Sequence, residues 1–353
     1  MQKKVGHVTN SCSGCGDNMI FSPESQSLFC PSCKKTKEIV SNTNISKYDV
    51  TSAENAADKN LVWMETSKSM QCPNCGARVV LSNYQTSSSC PYCDTSLIAL
   101  TNEFNVKSPD AIIPFAISKQ QAKLKFKEIN KHRWFAPKQF KNSSNVDEIH
   151  AYYFPAYIFE GNCHSEYKGK LYEEIEKEDR NGLKQTEKKY FLISGNKDTY
   201  HSNVEIAAST KISQYDLDGI HPYKLDYAKC YNNDYVYGYE LECSSTSLET
   251  ATDLAKNCIE KDIKKQILEK YSYDGVEYLD VKTYYNSFKY SQYALPMYRI
   301  NFTYKNNKYS NVMNGQTGKL TGKYPKSTAK ISLFVALILL ILGLPFLIIL
   351  LSM

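Results

Sequence analysis

Hydrophobic and polar residues alternate along parts of the chain, most clearly near residue 300. Four hydrophobic residues there, each followed by one polar residue, are Tyr298, Ile300, Phe302 and Tyr304. This is the period of a strand with one buried face. Dipeptides typical of hairpin turns recur at Asn181-Gly182, Gly195-Asn196, Asp274-Gly275 and Asn314-Gly315. The pattern predicts an antiparallel α+β domain over residues 108–325, with a sheet rich in tyrosine.

Two segments within this domain resemble each other. Phe154-Pro155-Ala156-Tyr157 and Leu295-Pro296-Met297-Tyr298 each lead through an aromatic strand to a predicted Lys-rich turn, at residues 168–170 and 305–308. The similarity predicts a duplicated β unit. The aromatic strands also raise the alternative of a tyrosine-lined surface for carbohydrates or bases, although tyrosine packs in ordinary sheets for the same reasons.

A helical period appears in two segments of the same domain. Residues 118–132 begin with a capping box, Ser118 with Gln121, and carry lysines opposite an apolar face. A domain helix with a solvated lysine face is favoured over a helix lying on an anionic membrane. A second box, Thr246 with Glu249, opens a helix that is predicted to reach about residue 271. Its predicted buried face is Leu248, Ala251, Ala255, Cys258, Ile263 and Ile267.

The segment 331–353 is apolar on every face and contains no charged residue. As a helix it would be roughly 34 Å long, which exceeds a hydrocarbon core of about 30 Å. A buried core helix is the alternative. Four lysines precede this segment, and no charged residue follows it in the sequence. The lysines are Lys319, Lys323, Lys326 and Lys330. By the positive-inside rule they predict a single-pass, tail-anchored membrane protein whose N-terminal soluble part lies in the cytoplasm.

Eight of the twelve cysteines form two copies of one pattern. The copies are Cys12-x2-Cys15-x14-Cys30-x2-Cys33 and Cys72-x2-Cys75-x14-Cys90-x2-Cys93. Paired thiolates on tight turns can close a tetrahedral zinc site, so residues 8–40 and 68–100 are predicted to be zinc ribbons with one zinc ion each. Because no ligand position is left open, the sites are expected to be structural. The alternatives are a rubredoxin-like iron site and a redox disulfide.

Composition and charge narrow the possible partners. The chain has 353 residues and a net charge of +6, but its first hundred residues contain nine basic and eight acidic side chains. Ribbons so close to neutral do not favour a strong phosphate-binding surface. Residues 41–67 are polar and are predicted to be a linker, and residues 101–110 form a second polar stretch. The first ten residues are polar, which favours a reduced compartment over disulfides.

Several motifs carry a resemblance to a known group. They are the Cys-Pro-x-Cys knuckles, Ile113-Pro114-Phe115, Tyr153-Phe154-Pro155-Ala156-Tyr157 and Asn314-Gly315-Gln316-Thr317-Gly318-Lys319. On these the chain resembles bacterial membrane proteins with N-terminal zinc ribbons of the transcription-factor type, some of them labelled primosomal protein N-prime or replication-helicase-like. The resemblance covers most of the chain. It implies the architecture of ribbons, domain and membrane segment, and it implies no established activity.

Motifs for catalysis are missing from the sequence. A nucleic-acid motor needs a Gly-x4-Gly-Lys-Ser/Thr cradle, and residues 315–320 have neither that spacing nor a hydroxyl for Mg²⁺. No His-Glu-x-x-His, Gly-x-Ser-x-Gly or dinucleotide fingerprint occurs. The four cysteines outside the ribbons are interpreted as buried thiols rather than as a third metal site or a nucleophile. They are Cys163, Cys230, Cys243 and Cys258.

Three functions therefore compete. The leading one is a non-enzymatic, membrane-anchored adaptor whose zinc ribbons bind a cytoplasmic protein partner. The second is a nucleic-acid binder held at the membrane, for which Lys34, Lys35 and Lys37 beside a knuckle are the motivation and salt-dependent affinity would be the sign. The third is an enzyme whose site lies in the tyrosine-rich domain and has no recognisable motif.

Overall fold

The computed structural model describes residues 10–51, 67–82, 87–93, 95–98, 108–142, 146–178 and 184–351, with no side chain described for 67–69, 81–82, 87–88, 98 and 343–351. The strands are β1 (Ile20–Ser22), β2 (Ser27–Phe29), β3 (Thr36–Lys37), β4 (Tyr48–Asp49), β5 (Ser67–Gln71), β6 (Arg78–Ser82), β7 (Ser87–Ser89), β8 (Ser96–Ile98), β9 (Ala111–Ile112), β10 (Glu148–Glu178), β11 (Lys184–Ala207), β12 (Lys229–Cys230), β13 (Glu240–Glu242), β14 (Gly275–Tyr304), β15 (Asn307–Asn314) and β16 (Leu320–Gly322). The helices are α1 (Lys119–His132), α2 (Lys138–Asn142), α3 (Gln214–Ile220), α4 (Leu248–Leu268) and α5 (Thr328–Leu351), with single 3-10 turns at Leu225–Tyr227 and Asn233–Tyr235.

Three long strands organise the domain. The strand β10 pairs antiparallel with β11 on one side and with β14 on the other. Near its beginning β10 also pairs in parallel with the short strand β13. These strands belong to one 11-stranded sheet, while β1, β2 and β3 form a separate three-stranded sheet. The predicted α+β class with a mainly antiparallel, tyrosine-rich sheet is confirmed.

The environment of β10 changes at Gly161. Before this residue both faces of the strand are mostly covered, and Tyr152, Tyr153 and Phe154 are fully buried. From Gly161 to Tyr172 odd-numbered residues are buried or nearly so and even-numbered residues lie on the more exposed face. The buried face packs on α4 through a cluster that includes Leu171 and Ile263. We use the name blade for the part of β10 that follows Gly161 together with the residues of β11 and β14 that pair with it.

Helix α1 begins where the sequence predicts. Ser118 is the N-cap, and its side chain and that of Gln121 form the predicted capping box. Helix α4 begins one residue later than predicted, because Ser247 accepts the capping hydrogen bond from the Thr250 amide in place of Thr246. Its buried face contains Ile259, whereas the predicted Cys258 is exposed.

Two predicted turns are wrong, because the glycines lie inside strands. Gly195 is in β11, opposite Tyr167 of β10, where a Cβ would come within 2.9 Å of the tyrosine hydroxyl oxygen. Gly169 is within β10, where a Cβ would lie 2.9 Å from the Tyr278 carbonyl oxygen. At both positions the absence of a side chain lets neighbouring groups of the sheet approach closely. A glycine in the sequence can indicate such a position as well as a turn.

The remaining predicted turns have different outcomes. Asn314 ends β15 and Gly315 begins the turn to β16, as predicted, and Lys305-Asn306 is the turn between β14 and β15. Asp274-Gly275 joins α4 to β14 and is not a hairpin. Asn181-Gly182 lies outside the described residues. The two similar segments are neighbours in the sheet, since Phe154 pairs with Leu295.

Part of the predicted linker lies against the domain. Tyr48 pairs with Tyr290 of β14, and the backbone carbonyls of Asn42 and Asn44 accept hydrogen bonds from Cys230. The described part of this segment, residues 41–51, therefore makes polar contacts with the domain, in agreement with its polar composition. Residues 52–66, and 101–107 of the second polar stretch, are outside the described part of the chain.

Helix α5 covers most of the segment that the sequence predicts to cross a membrane. Residues 352–353 are outside the described residues, and so are the side chains from 343 onwards. Among the described residues, none of the helices meets the length and apolarity needed to span a membrane.

Candidate metal centres and the network beneath ribbon 2

All four cysteine knuckles have the same backbone geometry. In each, the amide of the first cysteine donates to the carbonyl five residues later. These bonds are Cys12 to Asp17 at 2.7 Å, Cys30 to Lys35 at 2.9 Å, Cys72 to Ala77 at 2.8 Å and Cys90 to Thr95 at 2.8 Å. In three knuckles the turn closes through a residue with positive φ: Gly16, Lys34 or Gly76. The repeated turns direct both thiols of each pair toward one point.

The sulfur atoms of each ribbon form one cluster. In ribbon 1 the ligand atoms of Cys12, Cys15, Cys30 and Cys33 lie within 4.8 Å of one another, and the same holds for Cys72, Cys75, Cys90 and Cys93 in ribbon 2. The closest sulfur pairs are 3.4 Å apart in ribbon 1 and 3.5 Å in ribbon 2. A tetrahedron with metal–sulfur bonds of about 2.3 Å has edges of about 3.8 Å, so each cluster fits a metal ion held by four thiolates.

Backbone amides favour the thiolate form of Cys12 in ribbon 1, whereas contacts with the Cys30 and Cys33 sulfurs raise the pKa of Cys15 in the same cluster. Hydrogen bonds from Gly14 and Cys15 lower the pKa of Cys12 to about 6. The Gly14 amide lies 3.4 Å from the Cys12 sulfur. Because a metal binds the thiolate and not the thiol, these donors assist metal binding at neutral pH.

Ribbon 1 docks on the domain through a buried aromatic side chain and through a hydrogen bond from the Gln26 side chain to the Phe115 carbonyl at 2.8 Å. Phe21 is 1% exposed and contacts Tyr235 edge-on, with ring centroids 5.4 Å apart. Its amide donates to the Tyr237 carbonyl at 2.8 Å. On the outside of the ribbon Cys15 and Cys33 are exposed. The ribbon is therefore anchored from beneath while one side of its metal cluster faces solvent.

Ribbon 2 is joined to the domain by sheet pairing. Its strand β6 pairs with β13, with Val80 opposite Leu241, and β13 pairs with β10. The Cys243 amide adds a hydrogen bond to the Arg78 carbonyl at 3.0 Å. Through these bonds ribbon 2 extends the large sheet.

A buried polar network lies where ribbon 2 meets the sheet. Tyr92, between the candidate ligands Cys90 and Cys93, donates a hydrogen bond to the buried carboxylate of Glu242. The Ser209 hydroxyl donates to the other Glu242 oxygen at 2.5 Å. The guanidinium of Arg299 lies over the Tyr92 ring, 4.7 Å from its centroid. The metal knuckle is thus tied to a buried carboxylate and a neighbouring cation.

Protonation of Glu242 is expected to affect stability. Burial raises the pKa of its carboxyl to about 7 in the folded chain, whereas the ordinary value is 4.5. The folded state therefore binds the proton more tightly than the unfolded state does. The free energy of unfolding is expected to fall as pH rises from about 5 to 8, and Glu242→Gln should remove roughly 2 kcal/mol of this dependence.

Urea unfolding of both proteins at pH 5, 6, 7 and 8 checks this expectation. The difference between the free energies of unfolding of the two proteins is informative because both retain all eight cysteines of the two clusters, so effects of pH on any metal binding cancel. Glu38→Gln, at an exposed position, is the matched control and should follow the unchanged protein. Equal slopes for the unchanged protein and Glu242→Gln would contradict the prediction.

The four cysteines outside the ribbons differ in burial. The prediction of buried thiols is confirmed for Cys163 and Cys243 and is wrong for Cys258, which is exposed, while Cys230 is half-buried. Burial raises the pKa of Cys163 to about 11 and that of Cys243 to about 12. Within the described ranges no third group of Cys, His, Asp or Glu forms a metal cluster. Raised thiol pKa values do not favour a cysteine nucleophile.

A cavity of about 600 Å³ lies between α4 and the blade. Its charged lining residues are Glu166, Lys168, Glu260, Lys264, Asp280 and Lys282. The lining contains neither Cys nor His, and its three acidic and three basic groups balance. The cavity is therefore polar and close to neutral in charge.

Sequence reasoning found all eight cysteines that the structure brings together, and missed the network under ribbon 2. Tyr92 lies inside a predicted knuckle, but Glu242 is 150 positions away in sequence. The one usable signal was an aromatic residue with a hydroxyl inside Cys90-Pro-Tyr-Cys93, since buried tyrosines need a hydrogen-bond partner.

Comparison with known proteins gives one relative. Over 226 residues the chain is 26% identical to the uncharacterized protein YdjG of Bacillus subtilis (strain 168). The match covers 64% of this chain and 66% of that protein, slightly less than two thirds of its length. No protein-family model matches the chain, and no solved structure matches it significantly. The chain is therefore similar to a protein whose name states no activity.

Proposed function

We propose that this protein is a non-enzymatic, membrane-anchored adaptor that holds two zinc ions and binds a cytoplasmic protein partner. The observation that carries the proposal is the closed form of both metal clusters. Each contains four cysteine sulfurs and leaves no ligand position for a substrate or water. Such sites stabilise a fold and do not perform chemistry. Four thiolates in tetrahedral geometry favour zinc over harder cations such as Mg²⁺ or Ca²⁺.

The blade supplies the surface on which a partner would bind. The outer half of its exposed face carries four large side chains, which we call the tip patch: Tyr172, Tyr190, Leu192 and Tyr278. Leu192 is 75% exposed. Lys188 and Lys170 lie over the rings of Tyr172 and Tyr190, at 4.1 and 4.3 Å. Exposed tyrosines beside an aliphatic residue are typical of protein-binding surfaces.

The membrane part of the proposal rests on residues 331–353. From Ile331 to Leu342 every residue of α5 is exposed in the isolated chain. These include Leu333, Leu339 and Leu342, each at least 65% exposed. An apolar helix surface of this size is unfavourable in water and stable in lipid. By the positive-inside rule, the lysines before it support a cytoplasmic position for the rest of the protein.

The tip patch can be tested by site-specific photocross-linking. The full chain with a photoreactive phenylalanine analogue at Tyr190 is expected to give a discrete cross-linked species with one protein when bacterial cells that express it are illuminated. Leu192→Asp should remove that species, because it places a charge in the centre of the surface. Mass spectrometry then identifies the partner.

The matched control carries the same photoreactive group at Tyr215 of α3, which is 78% exposed and lies outside the blade. Bands shared by both positions are non-specific. An adaptor function through the tip patch would be refuted if position 190 gave only the bands of position 215, or if Leu192→Asp left its specific band unchanged.

A further inference from the structure

Positive charge is concentrated in two short parts of the chain. Residues 119–142 contain eight lysines and arginines and one glutamate, and residues 319–330 contain four lysines and no acidic residue. These 36 residues have a net charge of +11, whereas the whole chain has +6. The other residues together are therefore negative, at −5. Such segregation indicates a surface made for an anionic partner.

The structure joins the two segments into one surface, which we call the basic patch. A Cβ on Gly318 would lie 2.5 Å from the Lys125 side chain of α1. Further along, the Arg133 guanidinium lies over the Tyr324 ring, 4.2 Å from its centroid. Residues 318–327 therefore run beside α1 and its following loop, in the same direction, toward the start of α5.

The basic patch ends at a fixed junction with α5. The Lys330 ammonium donates to the backbone carbonyls of Trp134 and Ala136, at 3.3 and 2.7 Å. The Phe135 ring contacts Phe334 in the second turn of α5, with centroids 5.4 Å apart. Both an ammonium group and a ring contact thus hold the loop after α1 against the first turns of the apolar helix.

At this junction the side chain of Trp134 is 73% exposed. Its neighbours Arg133 and Phe135 are partly buried, so the loop is held while the indole projects from it. On α1, Leu124 is 67% exposed among lysines. Exposed tryptophan beside lysines and at the beginning of an apolar helix is the arrangement found at the interface between water and a membrane.

We propose that the basic patch, with Trp134 at its edge, binds the anionic headgroups of the bilayer that α5 enters. This inference rests on the proposed membrane anchoring. The lysines would attract acidic lipids, and each contributes about a fivefold preference, corresponding to about 1 kcal/mol near a charged surface. The indole would lie at the headgroup level because its ring is apolar and its N–H needs a polar partner. The domain would then be held flat against the membrane.

Fluorescence of Trp134 tests the inference in the full chain. The sequence contains two tryptophans, so Trp63→Phe leaves Trp134 as the single reporter. The protein is reconstituted in phosphatidylcholine vesicles with and without phosphatidylglycerol. Lipids brominated near the headgroup are expected to quench Trp134 more than lipids brominated near the acyl-chain end. At equal mole fraction, brominated phosphatidylglycerol should quench it more than brominated phosphatidylcholine.

A charge variant separates lipid attraction from simple proximity. Lys119→Gln, Lys123→Gln and Lys131→Gln together remove three exposed charges of α1 without touching α5. The excess quenching by the anionic lipid is expected to fall toward that of phosphatidylcholine. As a matched control, three exposed lysines of the blade and α4, Lys168, Lys261 and Lys265, are replaced in the same way and should leave the excess unchanged.

Flotation of the vesicles distinguishes the inference from the anchoring on which it rests. Protein that floats with the vesicles while Trp134 keeps the emission of water-exposed indole would overturn the basic-patch inference and leave the anchor standing. Protein that does not float would refute the anchor itself. Salt-dependent binding of an oligonucleotide that is lost in the α1 variant, with no lipid preference, would assign the patch to nucleic acid and overturn the inference.

Discussion

On the proposed zinc assignment, replacing Cys90 by serine is expected to remove one of the two zinc ions and to destabilise the whole domain. Cys90 is fully buried, and its ribbon is paired with β13 of the large sheet. A structural zinc ion contributes about 10 kcal/mol or more in small zinc domains, which is comparable with the entire folding free energy of a typical domain. Metal content per chain by mass spectrometry and thermal unfolding by circular dichroism measure both effects.

Cys258→Ser is the matched control, because Cys258 is exposed and belongs to neither cluster. It should retain two zinc ions and change the free energy of unfolding by less than about 0.5 kcal/mol. Two ions in Cys90→Ser would refute the assignment of that ligand. Iron in the unchanged protein would contradict the structural zinc sites and indicate electron transfer. Oxidised cysteines without metal would contradict them as well and indicate thiol chemistry.

Replacing Phe21 by alanine is expected to lower the free energy of unfolding by about 4 kcal/mol while both proposed metal ions remain bound. The ring is buried in the same core cluster as Tyr235 and Tyr298, and its removal leaves a cavity as well as losing apolar contact. The cysteines of ribbon 1 are not altered, so the ribbon should still close around its ion. Urea unfolding monitored by circular dichroism, together with metal analysis, separates docking of the ribbon from its folding.

Ile20→Ala provides the comparison for Phe21→Ala. Ile20 is the preceding residue on the same strand and is 38% exposed, so its truncation should cost about 1 kcal/mol or less. If Phe21→Ala cost no more than Ile20→Ala, the aromatic ring would not be the anchor of ribbon 1. If Phe21→Ala lost a metal ion, closure of the ribbon would depend on docking, contrary to the prediction.

Local chemistry was enough to predict the features that depend on nearby residues. The capping box of Ser118 and Gln121, the alternation around Ile300 and the four knuckles all involve partners within a short distance in sequence, and the structure contains each of them. Caps and metal turns are specified by a few adjacent side chains, so one sequence is sufficient to find them.

Features that depend on distant residues were not predictable in the same way. Gly169 and Gly195 were predicted to be in turns, yet each is required by a side chain or carbonyl of a neighbouring strand. The partner of Tyr92 comes from β13, and Phe21 inserts among residues that follow it by more than two hundred positions. A local sequence pattern does not show which strands become neighbours in the sheet, because strand pairing depends on the complete topology.

The continuous strands of the blade determine where the tip patch can be placed. Beyond Gly161, β10 continues for 17 residues to Glu178, which is about 55 Å of extended chain. Removing two residues from each strand would shorten this arm and keep the aromatic side chains on the same face. Removing one from each would turn the patch toward α4 and bury polar residues in its place. The strands of the blade can therefore be shortened or lengthened only by even numbers of residues if the tip patch is to stay on the exposed face. The distance of the tip patch from the rest of the domain is thus coupled to the direction in which the patch faces.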